Sequence, residues 1–369
     1  RLQKRCEIPL SRTEIMINIF SDLQMIRSQD KIFQKNEGFI TIRDLIKWGS
    51  REIDSYEKLA MEGFSLLGEK LSNNEDKEIV RKVIEKNLKQ KKIKLDIDTI
   101  NKYYENYVKE KFFKNIENNN INKKIKFTKS IERIITLVDK AISNNEAVLL
   151  IGDTGSGKTL CIEFLAEYYK RKLTTINCHE NMDTNDFLGS LKSTLNYQNN
   201  NSTNNSNNKS LFEWVDGPIT SAMKEGHIVI MDEIALVIDS VLERMNSIFE
   251  ADSVLVLSEK NINDNVEIIH PHKNFCIIGT ICPSALEGKK DLSQALRARF
   301  TEIYIPQNTN EDTNTIIDYK VNKIKYIVDK SLEKEYTKLI YELYLYYNLL
   351  LQILGIGDWG LGIGDWGLG

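Results

Sequence analysis

Residues 152–159 read Gly-Asp-Thr-Gly-Ser-Gly-Lys-Thr and fit the pattern G-x-x-x-x-G-K-[ST] of a phosphate-binding P-loop. Glycines let backbone N–H groups turn toward phosphate oxygens, and a helix that begins at the lysine adds partial positive charge. An apolar run before the motif and a helical pattern after it argue against a chance glycine-rich turn. The predicted nucleotide-binding residues are Gly152, Asp153, Thr154, Gly155, Ser156, Gly157, Lys158 and Thr159.

Lys158 is expected to bridge the β- and γ-phosphates of ATP, and the Thr159 hydroxyl to bind Mg²⁺. About 75 residues further on, the apolar run 228–231 ends in Asp232 and Glu233. Open α/β sheets bind ligands at the carboxyl ends of their strands, where these acids would lie. We expect Asp232 to hold the Mg²⁺ shell and Glu233 to activate the attacking water. Strands often end in acids, but an acid pair that follows a P-loop predicts nucleotide hydrolysis.

Arg297 and Arg299 lie just before a predicted strand. A guanidinium is planar, permanently charged and able to bind two oxygens, so it suits a γ-phosphate. In a ring of such modules, one of these arginines would act on the nucleotide of the neighbouring module. A surface ion pair is the alternative for either residue.

The elements that must position these residues alternate between strands and helices. Short apolar runs predict strands at 147–151, 173–177, 227–231, 275–280 and 302–305, with helices between them. Such a pattern predicts an α/β fold with a parallel sheet covered by helices on both faces. Residues 1–95 predict a preceding all-α bundle, and the polar stretch 96–126 a linker with some helix.

Composition restricts the classes of function. The net charge of −3 gives no basic field along the chain, so direct sequence-specific nucleic-acid binding is not expected. No apolar stretch approaches the roughly 20 residues that span a bilayer, so no membrane contact is expected. Five cysteines without a C-x-x-C pair suggest reduced thiols in an intracellular protein. The Asn/Ser tract 196–210 predicts a disordered insertion.

Together these segments resemble the AAA+ modules of the midasin family, which are P-loop NTPases. The similarity covers about 127–309 and rests on the blocks 177–179, 183–189, 212–218, 222–226, 232–236, 239–247, 288–293 and 299–303. The resemblance implies an α/β nucleotide-binding core at 127–309, with the hairpin that this family inserts before its sensor strand at 252–270. Residues 310–354 would begin the lid of this module, and 355–369 form a Gly/Trp repeat tail.

The helical region resembles the lid that ends a preceding module of the same chain. Arg43 would then match the sensor-2 arginine, with a helix-surface arginine as the alternative. The family resemblance implies neighbouring AAA+ modules in a ring, a nuclear (nucleolar and nucleoplasmic) location, and pre-60S ribosomal particles with their assembly factors as partners. A dynein-like or MoxR-like motor with another client remains an alternative, as does a structural module that binds ATP without hydrolysis.

One residue departs from the family pattern. The fourth predicted strand leads into Thr280-Ile281-Cys282-Pro283, where the family usually has an asparagine before the proline. A thiol is a weak hydrogen-bond donor and offers no amide to the hydrolytic water. Cys282 therefore predicts firm ATP binding with impaired or regulated turnover.

Overall fold

A computed structural model describes residues 8–29, 40–91, 93–113, 125–193, 212–250, 253–260, 266–283, 291–307, 309 and 312–316. These residues form an N-terminal helical bundle and an α/β core. No helix in these ranges is long and apolar enough to cross a membrane. The predicted insertion 196–210, most of 310–354 and the tail 355–369 lie outside the described residues.

The helices, in chain order, are α1 (Leu10–Gln29), α2 (Ile42–Ser50), α3 (Tyr56–Leu67), α4 (Asn74–Asn87), α5 (Ile97–Val108), α6 (Lys129–Ser143), α7 (Lys158–Tyr169), α8 (Thr184–Leu188), α9 (Pro218–Glu225), α10 (Asp239–Arg244) and α11 (Gln294–Arg297). The strands are β1 (Val148–Ile151), β2 (Leu173–Asn177), β3 (Gly189–Ser193), β4 (Phe212–Asp216), β5 (Ile228–Asp232), β6 (Leu255–Leu257), β7 (Glu267–Ile269), β8 (Cys276–Ile281) and β9 (Thr301–Tyr304).

The start of α2 shows why the bundle forms where its periodicity predicts it. Thr41 caps the helix reciprocally with Asp44, whose carboxylate accepts the Thr41 backbone N–H at 2.7 Å. Trp48 is fully buried and donates its indole N–H to the carbonyl of Leu59 on α3 at 3.1 Å. A Cβ at Gly63 would lie 2.4 Å from the Trp48 ring, so only glycine allows this contact between α2 and α3.

The described part of the predicted linker is a packed helix. Helix α5 buries Ile100, Tyr104 and Val108 against the rest of the fold, and α6 lies beside it. The spacing of four residues places these side chains on one face of the helix. This apolar face is hard to recognise in the sequence because most other residues of the stretch are polar. Helix α6 is capped by Thr128, two residues earlier than the predicted cap Ser130.

Five parallel strands form the main sheet in the order β2-β5-β8-β1-β9. Each predicted strand lies within one residue of the observed one, because each is a short apolar run between polar segments. Strands buried on both faces are typical of parallel sheets with helices on each side. The predicted α/β fold class with a preceding helical bundle is therefore confirmed.

Adjacent residues of one strand belong to different cores. Val148 and Leu150 face a core that includes α6, α7 and the helical bundle. Leu149 and Ile151 face a second core, which contains residues of α9 and α10. This alternation is the period of two of a β-strand. The sheet thus separates two cores, one of which continues into the bundle.

Two antiparallel hairpins extend from the α/β core. Strands β6 and β7 form the hairpin that the resemblance implied at 252–270. Strands β3 and β4 form the other, with Gly189 opposite Asp216, and no strand was predicted there. Both of its strands are only partly buried, so they lack the continuous apolar run that identifies the main sheet.

Candidate functional site

The phosphate-binding loop connects β1 to α7 at the carboxyl edge of the sheet. Gly155 and Gly157 have φ values of +75° and +87°, which side chains other than glycine rarely adopt. A Cβ at either position would meet no atom within 4 Å, so these glycines serve backbone conformation and open access. Gly152 is different, because a Cβ there would lie 2.8 Å from the carbonyl oxygen of Ile305. The open space beside Gly155 and Gly157 leaves room for a ligand next to the loop backbone at the start of α7.

Lys158 lies at the first position of α7 and is buried. Its ammonium group donates to the carbonyl oxygens of Gly152 and Asp153, at 2.6 and 2.8 Å. Burial lowers the pKa of Lys158, and nearby Cys282 and Glu233 act in the opposite direction. A phosphate would be a charged, stronger acceptor than the two carbonyls, so the residue fits the predicted phosphate-binding role.

Asp232 and Glu233 follow β5 at the same edge of the sheet. The Thr280 hydroxyl donates to the Asp232 carboxylate and accepts the backbone N–H of Glu233 at 3.1 Å. Thr280 is fully buried on β8, the strand between β5 and β1. One hydroxyl therefore fixes both acids, a role that the sequence analysis missed. A polar residue at the end of a buried apolar strand was the available signal.

The backbone of Glu233 adopts φ 55° and ψ 48°, the left-handed region that non-glycine residues seldom occupy. Its carboxylate accepts the backbone N–H of Cys282 at 3.3 Å. With this uncommon backbone conformation at the end of β5, the carboxylates of Glu233 and Asp232 contact different groups, the Cys282 N–H and the Thr280 hydroxyl. Such conformations are concentrated at functional sites.

Cys282 lies directly after β8, where the sequence analysis placed it, and its side chain is buried. It contacts Glu233 through its backbone N–H, a group that an asparagine would also supply. A second cysteine, Cys178, donates its backbone N–H to the Asp232 carbonyl at 2.9 Å. Burial, together with Asp232 and Glu233, raises the pKa of Cys178 to about 12. The Cys178 thiol is therefore neutral at physiological pH.

The predicted P-loop, Thr159, Asp232, Glu233 and Cys282 thus meet at the carboxyl edge. Thr159 is exposed in the first turn of α7. A hydroxyl, a carboxylate and an open loop of N–H groups are the groups that Mg²⁺ and a triphosphate require. The residues at this edge fit a nucleotide with its metal.

Arg297 and Arg299 lie elsewhere, just before β9 and therefore at the amino edge of the sheet. Arg297 is buried, forms a bidentate ion pair with Glu302 at 2.9 Å and also contacts Asp291. This arrangement favours the ion-pair interpretation for Arg297. Arg299 is in contact with Glu250, and its Nη1 donates to the Ala295 carbonyl at 2.7 Å.

Arg43, on α2 of the bundle, reaches the same carboxylate. Its Nη2 lies 3.4 Å from Glu250 Oε1, and its side chain is 49% exposed. The structure therefore brings Arg43 and Arg299 together although 256 positions separate them in the sequence. Glu250 was not predicted, because nothing in its local sequence pattern reveals a contact over this separation.

Two protein-family models match the chain. The AAA domain of the dynein-related subfamily matches residues 147–300. The midasin AAA lid domain matches residues 2–91. The lid match precedes the core match in the chain, in the order that the sequence resemblance implied.

Individual relatives agree with these models. Midasin from Dictyostelium discoideum is 34% identical over 395 residues, covering 86% of this chain and 7% of the relative. Midasin from Giardia intestinalis is 31% identical over 336 residues, covering 80% of this chain and 7% of the relative. The uncharacterized protein YojN of Bacillus subtilis (strain 168) is 30% identical over 166 residues, covering 45% of this chain and 49% of that protein. The chain spans about 7% of the length of each midasin.

Proposed function

We propose that this chain, which belongs to the midasin-like branch of the dynein-related AAA proteins, hydrolyses ATP at the carboxyl edge of its sheet. One observation carries the proposal: Thr280 fixes Asp232 and Glu233 beside the P-loop and its lysine. A structural loop has no need of two fixed acids next to a buried lysine. A site for phosphoryl transfer requires all of these groups.

Each group at this edge has a specific task. Backbone N–H groups of the P-loop bind phosphate oxygens, and Lys158 leaves the loop carbonyls to contact the β- and γ-phosphates. Thr159 and Asp232 hold the Mg²⁺ shell, which neutralises charge on the phosphates when the metal is bound. Glu233 orients the attacking water and accepts its proton. The residues of this site therefore act by positioning the phosphates and the attacking water and by stabilising negative charge.

The proposal extends to the larger protein. Midasin-like chains carry several AAA+ modules in a ring, and we assign to the whole protein the remodelling of pre-60S particles and the release of assembly factors in the nucleus. This assignment is supported by the midasin lid model and by the two midasin relatives. The same findings favour a midasin-like protein over the dynein-like and MoxR-like alternatives.

A structural module without turnover is the second candidate. Cys282 supports it, because no side-chain amide is available there to orient water. The two candidates differ in one measurable respect. The first requires Glu233 for turnover, whereas the second predicts tight binding without turnover.

ATP binding and ATP turnover, measured side by side on the full-length protein, test the proposal. All other modules are silenced at their P-loop lysines, and the native Glu233 form is compared with Glu233→Gln. We expect turnover to fall by roughly 10²- to 10⁴-fold with binding retained, the range for loss of a general base. Binding without turnover in both forms would establish the structural module instead.

Two further variants sharpen the result. Lys158→Ala should abolish nucleotide binding at this site, and retained binding would refute the P-loop assignment. Cys282→Asn should increase turnover if the missing amide limits hydrolysis. Unchanged turnover in that variant would show that the Cys282 position does not control the rate.

A further inference from the structure

A second charged cluster lies where α2 meets the amino edge of the sheet. It contains Arg43, Arg299 and Glu250, and one carboxylate oxygen of Glu250 faces both guanidinium groups, at 3.4 and 3.2 Å. Lys47, one turn after Arg43, donates to the Arg299 carbonyl at 2.9 Å. This hydrogen bond fixes α2, and with it Arg43, relative to the backbone that carries Arg299.

The cluster cannot serve the P-loop of this chain. Arg299 precedes β9, whereas the P-loop follows β1, and the two strands pair in parallel from Val148 opposite Thr301. A strand of four residues advances about 13 Å, so the cluster and the P-loop lie at opposite edges of the sheet. An anion that engages both arginines must therefore be held at a site other than this P-loop.

We propose that Glu250 is a positioning residue that holds Arg43 and Arg299 until the γ-phosphate of a nucleotide on the preceding module displaces it. The inference rests on the proposed function, because it requires AAA modules that follow one another in one chain. Glu250 then acts as a competitor of the γ-phosphate and sets how strongly the preceding site distinguishes ATP from ADP.

The geometry of the contact supports exchange. The Arg299 Nε atom is buried and lies 3.2 Å from Glu250 Oε1, yet it makes no hydrogen bond. The pair is therefore an electrostatic contact that leaves a donor unsatisfied, which a better placed oxygen would satisfy. Glu250 is 47% exposed, so its carboxylate can return to water when it leaves. Two cations beside one carboxylate also leave a net positive charge for an incoming anion.

The test measures nucleotide binding at the preceding site of the full-length protein, with the other P-loops silenced. The probes are fluorescent ATP and ADP analogues, and the variant is Glu250→Gln, which removes the charge and keeps the shape. We expect the ATP analogue to bind about 3- to 10-fold more tightly, because two partly exposed ion pairs no longer compete. The ADP analogue, which lacks the γ-phosphate, should change by less than about twofold.

Matched variants separate this role from a structural one. Glu250→Asp keeps the negative charge and should therefore retain the native ratio of the affinities for the ATP and ADP analogues. Glu259→Gln removes a comparable carboxylate that pairs with Arg244 at 2.9 Å, and should leave binding at the preceding site unchanged. In a background of Arg43→Ala and Arg299→Ala, Glu250→Gln should have no further effect.

Equal tightening of both analogues, weaker binding of the ATP analogue or an unchanged affinity would each overturn the inference. Its failure is separable from failure of the proposed function. The Glu250 measurement is made at the preceding module, whereas Glu233→Gln reports on the P-loop of this chain. Turnover that depends on Glu233, together with no effect of Glu250→Gln, would refute only the role of Glu250.

Discussion

Two of the charged clusters at which the helical bundle meets the α/β core differ in burial. In the first, Arg51 binds Glu62 at 2.9 Å and Glu146 through two hydrogen bonds, and the side chains are 3%, 8% and 3% exposed. In the second, Arg43, Arg299 and Glu250 are 49%, 17% and 47% exposed. The first set is enclosed and saturated with partners, whereas the second is open and imperfectly paired.

This difference indicates that the two sets have different tasks. Charges buried in complete networks cannot exchange partners without exposing an unpaired charge to an apolar interior. Exposed pairs contribute little stability and can exchange with water or with another anion. The buried set therefore joins the bundle to the core, and the exposed set leaves two arginines able to respond to a ligand.

The largest expected effect follows from breaking the buried set. Arg51→Ala leaves Glu62 and Glu146 without their shared cation and should lower the free energy of unfolding by about 3–5 kcal/mol. Urea unfolding followed by tryptophan fluorescence measures the change. Arg244→Ala removes the exposed pair with Glu259 and should cost less than about 1 kcal/mol. Equal losses in the two variants would contradict the distinction.

Another buried acid, Glu69, makes the contact between the bundle and the core sensitive to low pH. Burial raises the pKa of Glu69, but Arg133, Lys77 and Tyr104 outweigh this effect and hold the pKa at about 2. Because this pKa lies below that of the unfolded chain, the stabilisation is present above about pH 4.5 and is lost as the pH falls toward 2. The full contribution is on the order of 3 kcal/mol.

Glu69→Gln should therefore flatten the decline of the free energy of unfolding between about pH 4.5 and about pH 2. Urea titrations at several pH values measure this slope. Glu75→Gln, at an exposed position of α4, is the control and should retain the native slope. An unchanged slope in Glu69→Gln would show that other carboxylates cause the acid sensitivity.

A smaller effect is expected from a hydroxyl at the opposite edge of the sheet. Thr280→Val leaves the backbone N–H of Glu233 without its acceptor, a loss of about 1–3 kcal/mol in the positioned state. We expect turnover at this site to fall roughly 10- to 100-fold while ADP affinity stays close to native. The matched control is Thr174→Val on β2, which removes a hydroxyl that lies 3.1 Å from His227 Nδ1. Native turnover in Thr280→Val would exclude the positioning role.

The smallest effect on stability concerns the exposed set. Arg43→Ala should change the free energy of unfolding by less than about 1 kcal/mol, since the pair is half-exposed and 3.4 Å long. The same urea titration applies. A loss comparable to that of Arg51→Ala would mean that the exposed set also holds the fold together.

Local patterns identified most of the fold and the residues of the P-loop site. The strands and the P-loop were predictable because apolar runs, glycines and acids follow one another within short segments. Helix α5 was missed as a packed element since only Ile100, Tyr104 and Val108 form its apolar face. The hairpin of β3 and β4 was missed because its strands are partly exposed.

Long-range contacts were beyond such patterns. The sequence suggested Arg43 and Arg299 separately, each with an ion-pair or surface alternative, but could not show that both approach Glu250. The partners of Arg297 were equally hidden, although Glu302 lies only five residues away, because charged neighbours are common on surfaces. The partner of each arginine is decided by tertiary packing, which the spacing of residues in the sequence does not reveal.

The single core that the bundle shares with one face of the sheet has a mechanical consequence. The helices that precede the α/β core in the chain are packed onto it. The bundle and the core are therefore expected to move as one rigid body, although the bundle resembles the lid of the preceding module. Bodies joined through a continuous apolar interior rotate as one, and rotation occurs where few buried contacts must break. Under the proposed function, the hinges of the array are therefore expected between each core and the lid that follows it, and a bound nucleotide would act there.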